Sequence, residues 1–132
     1  MKIAADTNVL LRAVVGDDET QSALAIEALE GAEMVAVSLQ ALCEFAWVLG
    51  RRYGVSRADV GAAIRRLMET RNVVVNHPAV ELGLGVLEAG GDFADGVIAY
   101  DGAFLGAETF VSFDRKAVAL LAGQGRATKL LT

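Results

Sequence analysis

Four carboxylates in this chain, Asp6, Glu44, Asp95 and Asp114, have the type and spacing to do chemistry together. Asp6 ends the short apolar run Lys2-Ile3-Ala4-Ala5 and is followed by Thr7-Asn8, after which the apolar pattern resumes at Val9-Leu10-Leu11. That reads as a buried strand stopping at a carboxylate, with a helix starting at once. In open α/β sheets, ligand sites lie just beyond the carboxyl ends of strands. A carboxylate there, flanked by a hydroxyl and an amide, is placed to hold a cation. Taken alone, Asp6 is as readily a helix cap. Asp114 lies just past a second such run, Thr109-Phe110-Val111-Ser112. Asp95 falls in the first turn of a helix opened by Asp92, where the helix dipole favours an acid whatever its function. Glu44 shares a helical stripe with Gln40, Trp47 and Arg51, while the rest of its helix is apolar. Two readings of Glu44 stay open: a solvated polar stripe, or a carboxylate aimed at the sheet's edge from an otherwise buried helix, where charge is rarely left unpaired.

Electrostatics gives the set a reason to exist. Two carboxylates ~4 Å apart repel by ~4 kcal/mol at an effective dielectric of ~20. Several in one pocket must take up protons, unfold the pocket or bind a cation. All-oxygen ligands select hard ions such as Mg²⁺ or Mn²⁺ rather than zinc. Such ions share their remaining positions with water and substrate phosphates, and they activate water for in-line attack on a phosphodiester.

The elements that must position these acids follow from the apolar periodicity. Strands are expected over 2–5, 33–37, 71–75 and 109–112, with a final edge strand over 127–131. A short helix follows Asp6. Gly16-Asp17-Asp18 then breaks the chain and caps a helix over 19–30, with Ala23, Ile26, Ala28 and Leu29 as its apolar contacts and Gly31 as its end. Ser38 caps a long helix over 39–53, closed by Gly54. Ser56 and Asp59 form a capping box for a helix to about Thr70. His77-Pro78 opens a helix running to Gly90, with Pro78 in its first turn. Asp92 caps a helix over 93–105, and Asp114 caps one through Leu121. On the Asp95 face of its helix lie Ala99, Gly102 and Gly106, small enough for backbones to approach closely. Strands alternating with helices predict an α/β fold: a small parallel β-sheet of four to five strands, sandwiched by helices, in one domain over residues 1–132. Strand ends of such a sheet converge on one edge, where the four acids can meet.

Composition bounds the rest. A chain of 132 residues, 54% of them hydrophobic, is long enough for a real core. No apolar run is long enough to span a bilayer, and Asp6 interrupts the only candidate leader, so a soluble, cytoplasmic protein is expected. The single cysteine, Cys43, excludes an internal disulfide and reads as a small hydrophobe in an apolar helix. The net charge of −5 argues against broad nucleic-acid affinity. The charge is uneven, however. Residues 51–71 hold six arginines against Asp59 and Glu69, while acids outnumber bases fifteen to six elsewhere.

Four motifs in order, Asp6-Thr7-Asn8, Glu44 in an Ala/Leu-rich helix, Asp92-Phe93-Ala94-Asp95-Gly96-Val97-Ile98-Ala99 and Thr109-Phe110-Val111-Ser112-Phe113-Asp114-Arg115, resemble those of the PIN-domain ribonucleases. Within them the chain looks most like the VapC-type toxins of bacterial toxin–antitoxin pairs. The resemblance covers essentially the whole chain. It implies a small parallel sheet sandwiched by helices, and Mg²⁺- or Mn²⁺-dependent endonucleolytic cleavage of RNA, often structured RNA such as tRNA. It implies that Asp6, Glu44, Asp95 and Asp114 form the metal-binding, catalytic site, with Asp92 an accessory acid. Thr7 or Asn8, and Ser112, would supply supporting hydrogen bonds. Members are usually homodimers inhibited by a cognate antitoxin. The chain departs from the family at Gly96, where a helix former is more usual and a looser helix start is expected, and at the more polar Tyr100-Asp101.

Phosphate contacts are expected from Arg51 and Arg52, which close the Glu44 helix, and from Arg115 and Lys116 beside Asp114. Arg65 and Arg66 read as a solvated face. Trp47 and Tyr53 are of a type that stacks on bases, although core or dimer packing is the expected role of Trp47. A receiver domain would need an acceptor Asp after the third strand, where this chain has Asn76-His77-Pro78; a haloacid-dehalogenase-type phosphatase would need Asp where Asn8 stands. The remaining alternative is a catalytically silent PIN scaffold that binds RNA or a protein partner.

Overall fold

The computed structural model describes residues 1–132. Twelve elements follow one another: β1 (Lys2–Ala4), α1 (Thr7–Val15), α2 (Glu19–Gly31), β2 (Met34–Ala36), α3 (Leu39–Arg51), α4 (Arg57–Glu69), β3 (Val73–Val74), α5 (His77–Glu88), α6 (Phe93–Phe104), β4 (Phe110–Ser112), α7 (Arg115–Gly123) and β5 (Thr128–Leu130). The order is the one the periodicity predicts, and the fold is α/β. Every strand pairing is parallel. The strands are shorter than expected, two or three residues each, and they form two sheets rather than one: β1-β2-β3 and β4-β5. Residues at the ends of the expected runs still make ladder-like bonds; the Ala5 N–H donates to the Ala36 carbonyl at 3.1 Å, beyond the last paired residue of β1.

The chain forms two compact units, Met1–Asn76 and His77–Thr132. In the first, α1 packs on α2 and α3, and α3 on α4. Val35 of the middle strand is wholly buried, as are Leu42 and Phe45 of α3 and Ile64 of α4. Side-chain oxygens fix the helix starts. Asp18 accepts from the Gln21 N–H, Ser38 from Ala41 and Ser56 from Asp59, each at 3.0–3.1 Å; such caps each contribute ~1 kcal/mol. Gly16, at φ +70°, turns the chain out of α1. A cluster ties the α1–α2 turn to the end of α3: Arg12 donates to Asp17 at 2.8 Å, and the Tyr53 hydroxyl donates to the other Asp17 oxygen at 3.1 Å. One expectation for α2 fails and one holds. Its buried residue is Ala25, while Ala23, Ile26 and Ala28 are exposed. Gly31 is the last helical residue, and the chain leaves the helix at Ala32 in extended conformation. The apolar residues of α2 are spread around the helix, so wheel position alone does not pick the buried one.

In the second unit α5 packs against α6, and α7 against β4, β5 and α5. The α5–α6 contact is very close, and glycine makes it possible. A Cβ built on Gly96 would stand 2.6 Å from the Gly83 Cα and 2.7 Å from the Leu82 carbonyl oxygen. A Cβ on Gly83 would stand 2.8 Å from the Phe93 ring. Gly96 therefore does not loosen the start of α6; it lets α6 seat on α5. The expected close-approach face at Ala99, Gly102 and Gly106 is not the one used, since the nearest atom to a Cβ on Gly102 is 3.8 Å away. Phe93, Leu84, Val80 and Leu121 are buried. No helix of the chain is long and apolar enough to cross a membrane.

Candidate functional site

In the first unit the path from sequence to site is short. The ladder of β1 ends at Ala5, and Asp6 becomes the N-cap of α1, its Oδ1 accepting from the Val9 N–H at 3.0 Å. Capping uses one carboxylate oxygen and leaves the other with no hydrogen-bond partner, so the two readings of Asp6 are compatible. One residue on, the Thr7 hydroxyl donates to Glu44 Oε2 at 2.9 Å, bridging α1 and α3. Glu44 itself is exposed, on a stripe with Gln40, Trp47 and Arg51 that faces solvent. Two recesses meet at Asp6, Thr7 and Glu44. One, of about 290 Å³, is also lined by Ser38, Gln40 and Ala41. The other, of about 310 Å³, is also lined by Asn8, Trp47, Val48 and Arg52. Asn8 lines the recess but makes no side-chain hydrogen bond, so the supporting contact belongs to Thr7.

In the second unit Asp114 is the N-cap of α7. Its Oδ1 accepts from the N–H groups of Lys116, at 2.9 Å, and Ala117, at 3.1 Å. Its own N–H donates to Ser112 Oγ at 2.9 Å, so Ser112 holds the Asp114 backbone in place. Asp92 occupies the N-cap position of α6, but its side chain makes no capping bond. It is not the cap the sequence leads one to expect, and its carboxylate is left unengaged. Asp95, in the first turn of α6, is half-buried. Burial raises its pKa above the ordinary carboxylate value, and the negative charges of Asp92 and Asp114 raise it further. Asp95 therefore feels the charges of both neighbours.

None of Asp6, Glu44, Asp92, Asp95 and Asp114 forms an ion pair with a Lys or Arg. Arg51, Arg52, Arg115 and Lys116 are exposed. Within the first unit Asp6 and Glu44 line the same recesses, and within the second Asp95 lies within electrostatic reach of Asp92 and Asp114. No group of three or more His, Cys, Asp or Glu side chains stands ready-made to hold a metal ion. The donor chemistry nevertheless fits a hard divalent cation: carboxylate oxygens without counter-charge, beside hydroxyls.

A family model described as the PIN domain matches residues 3–120. The chain belongs to the PIN domain family. PIN domains are a nuclease fold and generally metal-dependent, which accords with unpaired carboxylates at helix starts in this one. No curated protein matches the chain with significant similarity. The core placement weighed for Trp47 does not hold: the residue is 59% exposed and lines the recess beside Glu44. The signal was its place on the Glu44 stripe, three residues along.

Proposed function

We propose that this PIN domain is a metal-dependent endoribonuclease, acting as the toxin of a toxin–antitoxin pair. The observation that carries this reading is a set of carboxylates without counter-ions, on the residues where the motifs of that family fall. In this reading Asp6, Glu44, Asp95 and Asp114 hold Mg²⁺ or Mn²⁺. A bound divalent ion supplies Lewis acidity at the scissile phosphate and lowers the pKa of an attacking water. The protein's own groups set up the rest. Thr7 orients Glu44, Ser112 fixes the start of α7 and so Asp114, and Asp92 adds negative charge beside Asp95. Arg51, Arg52, Arg115 and Lys116 draw in the phosphate backbone of RNA, including structured RNA such as tRNA. Residues 3–120 match as one family model across both compact units, which supports a single functional domain over 1–132. The order of the four motifs supports the toxin assignment, and with it a cytoplasmic homodimer neutralised by a cognate antitoxin.

One observation favours a second reading, a PIN scaffold that binds RNA or protein without cutting: no ready-made metal-binding group is present. Total RNA incubated with the protein, with Mg²⁺ or with chelator, followed by sequencing of new ends, separates the two. The nuclease reading expects new ends with Mg²⁺ only, and loss of both cleavage and divalent binding in Asp6→Asn. RNA binding without cleavage, unaffected by chelator, rejects it in favour of the scaffold.

A further inference from the structure

We propose that Trp47 is a base-stacking platform that seats a nucleotide of single-stranded RNA beside Glu44, with Arg52 holding its phosphate. The proposal deepens the nuclease reading and rests on it for the choice of RNA. Trp47 projects from α3 three residues after Glu44 and is 59% exposed, whereas Phe45, two residues before it, is wholly buried. Several large apolar side chains of the chain are exposed, and what sets Trp47 apart is the recess it lines. It lines the same recess as Asp6, Glu44 and Arg52. That recess, about 310 Å³, is at the lower end of the range for small-ligand pockets. Arg52 is exposed and pairs with no acid, so its guanidinium is available to a phosphate. The other aromatic nearby is committed elsewhere, since the Tyr53 hydroxyl is bonded to Asp17. An aromatic face together with a cation is the pair that single-stranded nucleic acid uses: the base stacks and the backbone is neutralised. Stacking also tolerates any base, so Trp47 would position RNA without reading its sequence.

Trp47 is the chain's only tryptophan, so its emission reports on this position alone. The probe is a fluorescein-labelled single-stranded RNA octamer, and a second, unlabelled one for tryptophan emission. Both are titrated into the full chain in chelator, where cleavage is suppressed, and again with Mg²⁺. Saturable quenching of tryptophan emission is expected in both. Trp47→Ala should weaken binding, read by anisotropy of the labelled octamer, by roughly 5- to 100-fold, the cost of one base–aromatic stack. Trp47→Phe should restore most of it and Trp47→Leu should not. Unchanged binding in Trp47→Ala, emission that ignores bound RNA, or no RNA binding at all overturns the proposal. So does an emission shift that follows protein concentration and not RNA, which would make Trp47 a contact between copies of the chain. Cleavage without quenching sinks this proposal and spares the nuclease reading; quenching without cleavage does the reverse.

Discussion

At the scale of single residues, a helix-capping carboxylate keeps one oxygen in reserve. Asp6 and Asp114 each cap a helix through Oδ1. A cap needs one oxygen, so folding and ligand binding do not compete for the group. Glu44 is different. It sits mid-helix on an exposed stripe, and only Thr7 restrains it. Losing such a supporting contact to a metal-holding side chain costs about 10- to 100-fold in metal affinity or activity. Thr7→Val should therefore lower kcat for RNA cleavage and the affinity for Mg²⁺ by about that factor, with thermal stability almost unchanged. Thr7→Ser keeps the hydroxyl and should recover most of both. Equal Mg²⁺ affinity in Thr7→Val and the parent protein would show that Thr7 does not position Glu44.

At the scale of elements, the α5–α6 contact decides where Asp92 and Asp95 are held. Exposed glycines in helices cost ~1 kcal/mol relative to alanine, so Gly96→Ala at an open position would stabilise. Here the added methyl meets backbone atoms of Gly83 and Leu82, which cannot rotate away. The expected sign is reversed: a loss of about 1–3 kcal/mol in chemical denaturation, with reduced cleavage as α6 is pushed off α5. A variant that gains stability would mean that the two helices do not pack this closely. The capped starts of α1 and α7 are the other positioning devices.

At the scale of the whole molecule, the proposed function requires an acidic protein to bind a polyanion. The net charge of −5 repels RNA, but the six arginines over 51–71 concentrate the opposite sign at the end of α3, along α4 and in the segment just past it. If Arg51 and Arg52 each neutralise a phosphate, reversing both to Glu removes about 0.7 per contact from the slope of log affinity against log salt. RNA binding by Arg51→Glu/Arg52→Glu should therefore be weaker at low salt and flatter across a salt titration. A parallel shift with the slope intact would place the phosphate contacts elsewhere.

Much of this was legible in the chain itself. Element order and nearly all helix starts follow from apolar periodicity and from Asp, Ser and Gly at the boundaries, because capping and helix termination are settled within a few residues. The motifs point to the PIN family for the same reason: a carboxylate after an apolar run is a local pattern. What the tertiary structure decided is what depends on residues far apart in sequence. It split five short parallel strands into two sheets and made Gly96 a packing contact rather than a weak helix start. It freed the Asp92 carboxylate from capping, joined Thr7 to Glu44 across 37 residues, and put Trp47 in solvent beside that carboxylate. A helical wheel says which residues share a face, but only the neighbouring helices determine which face is covered.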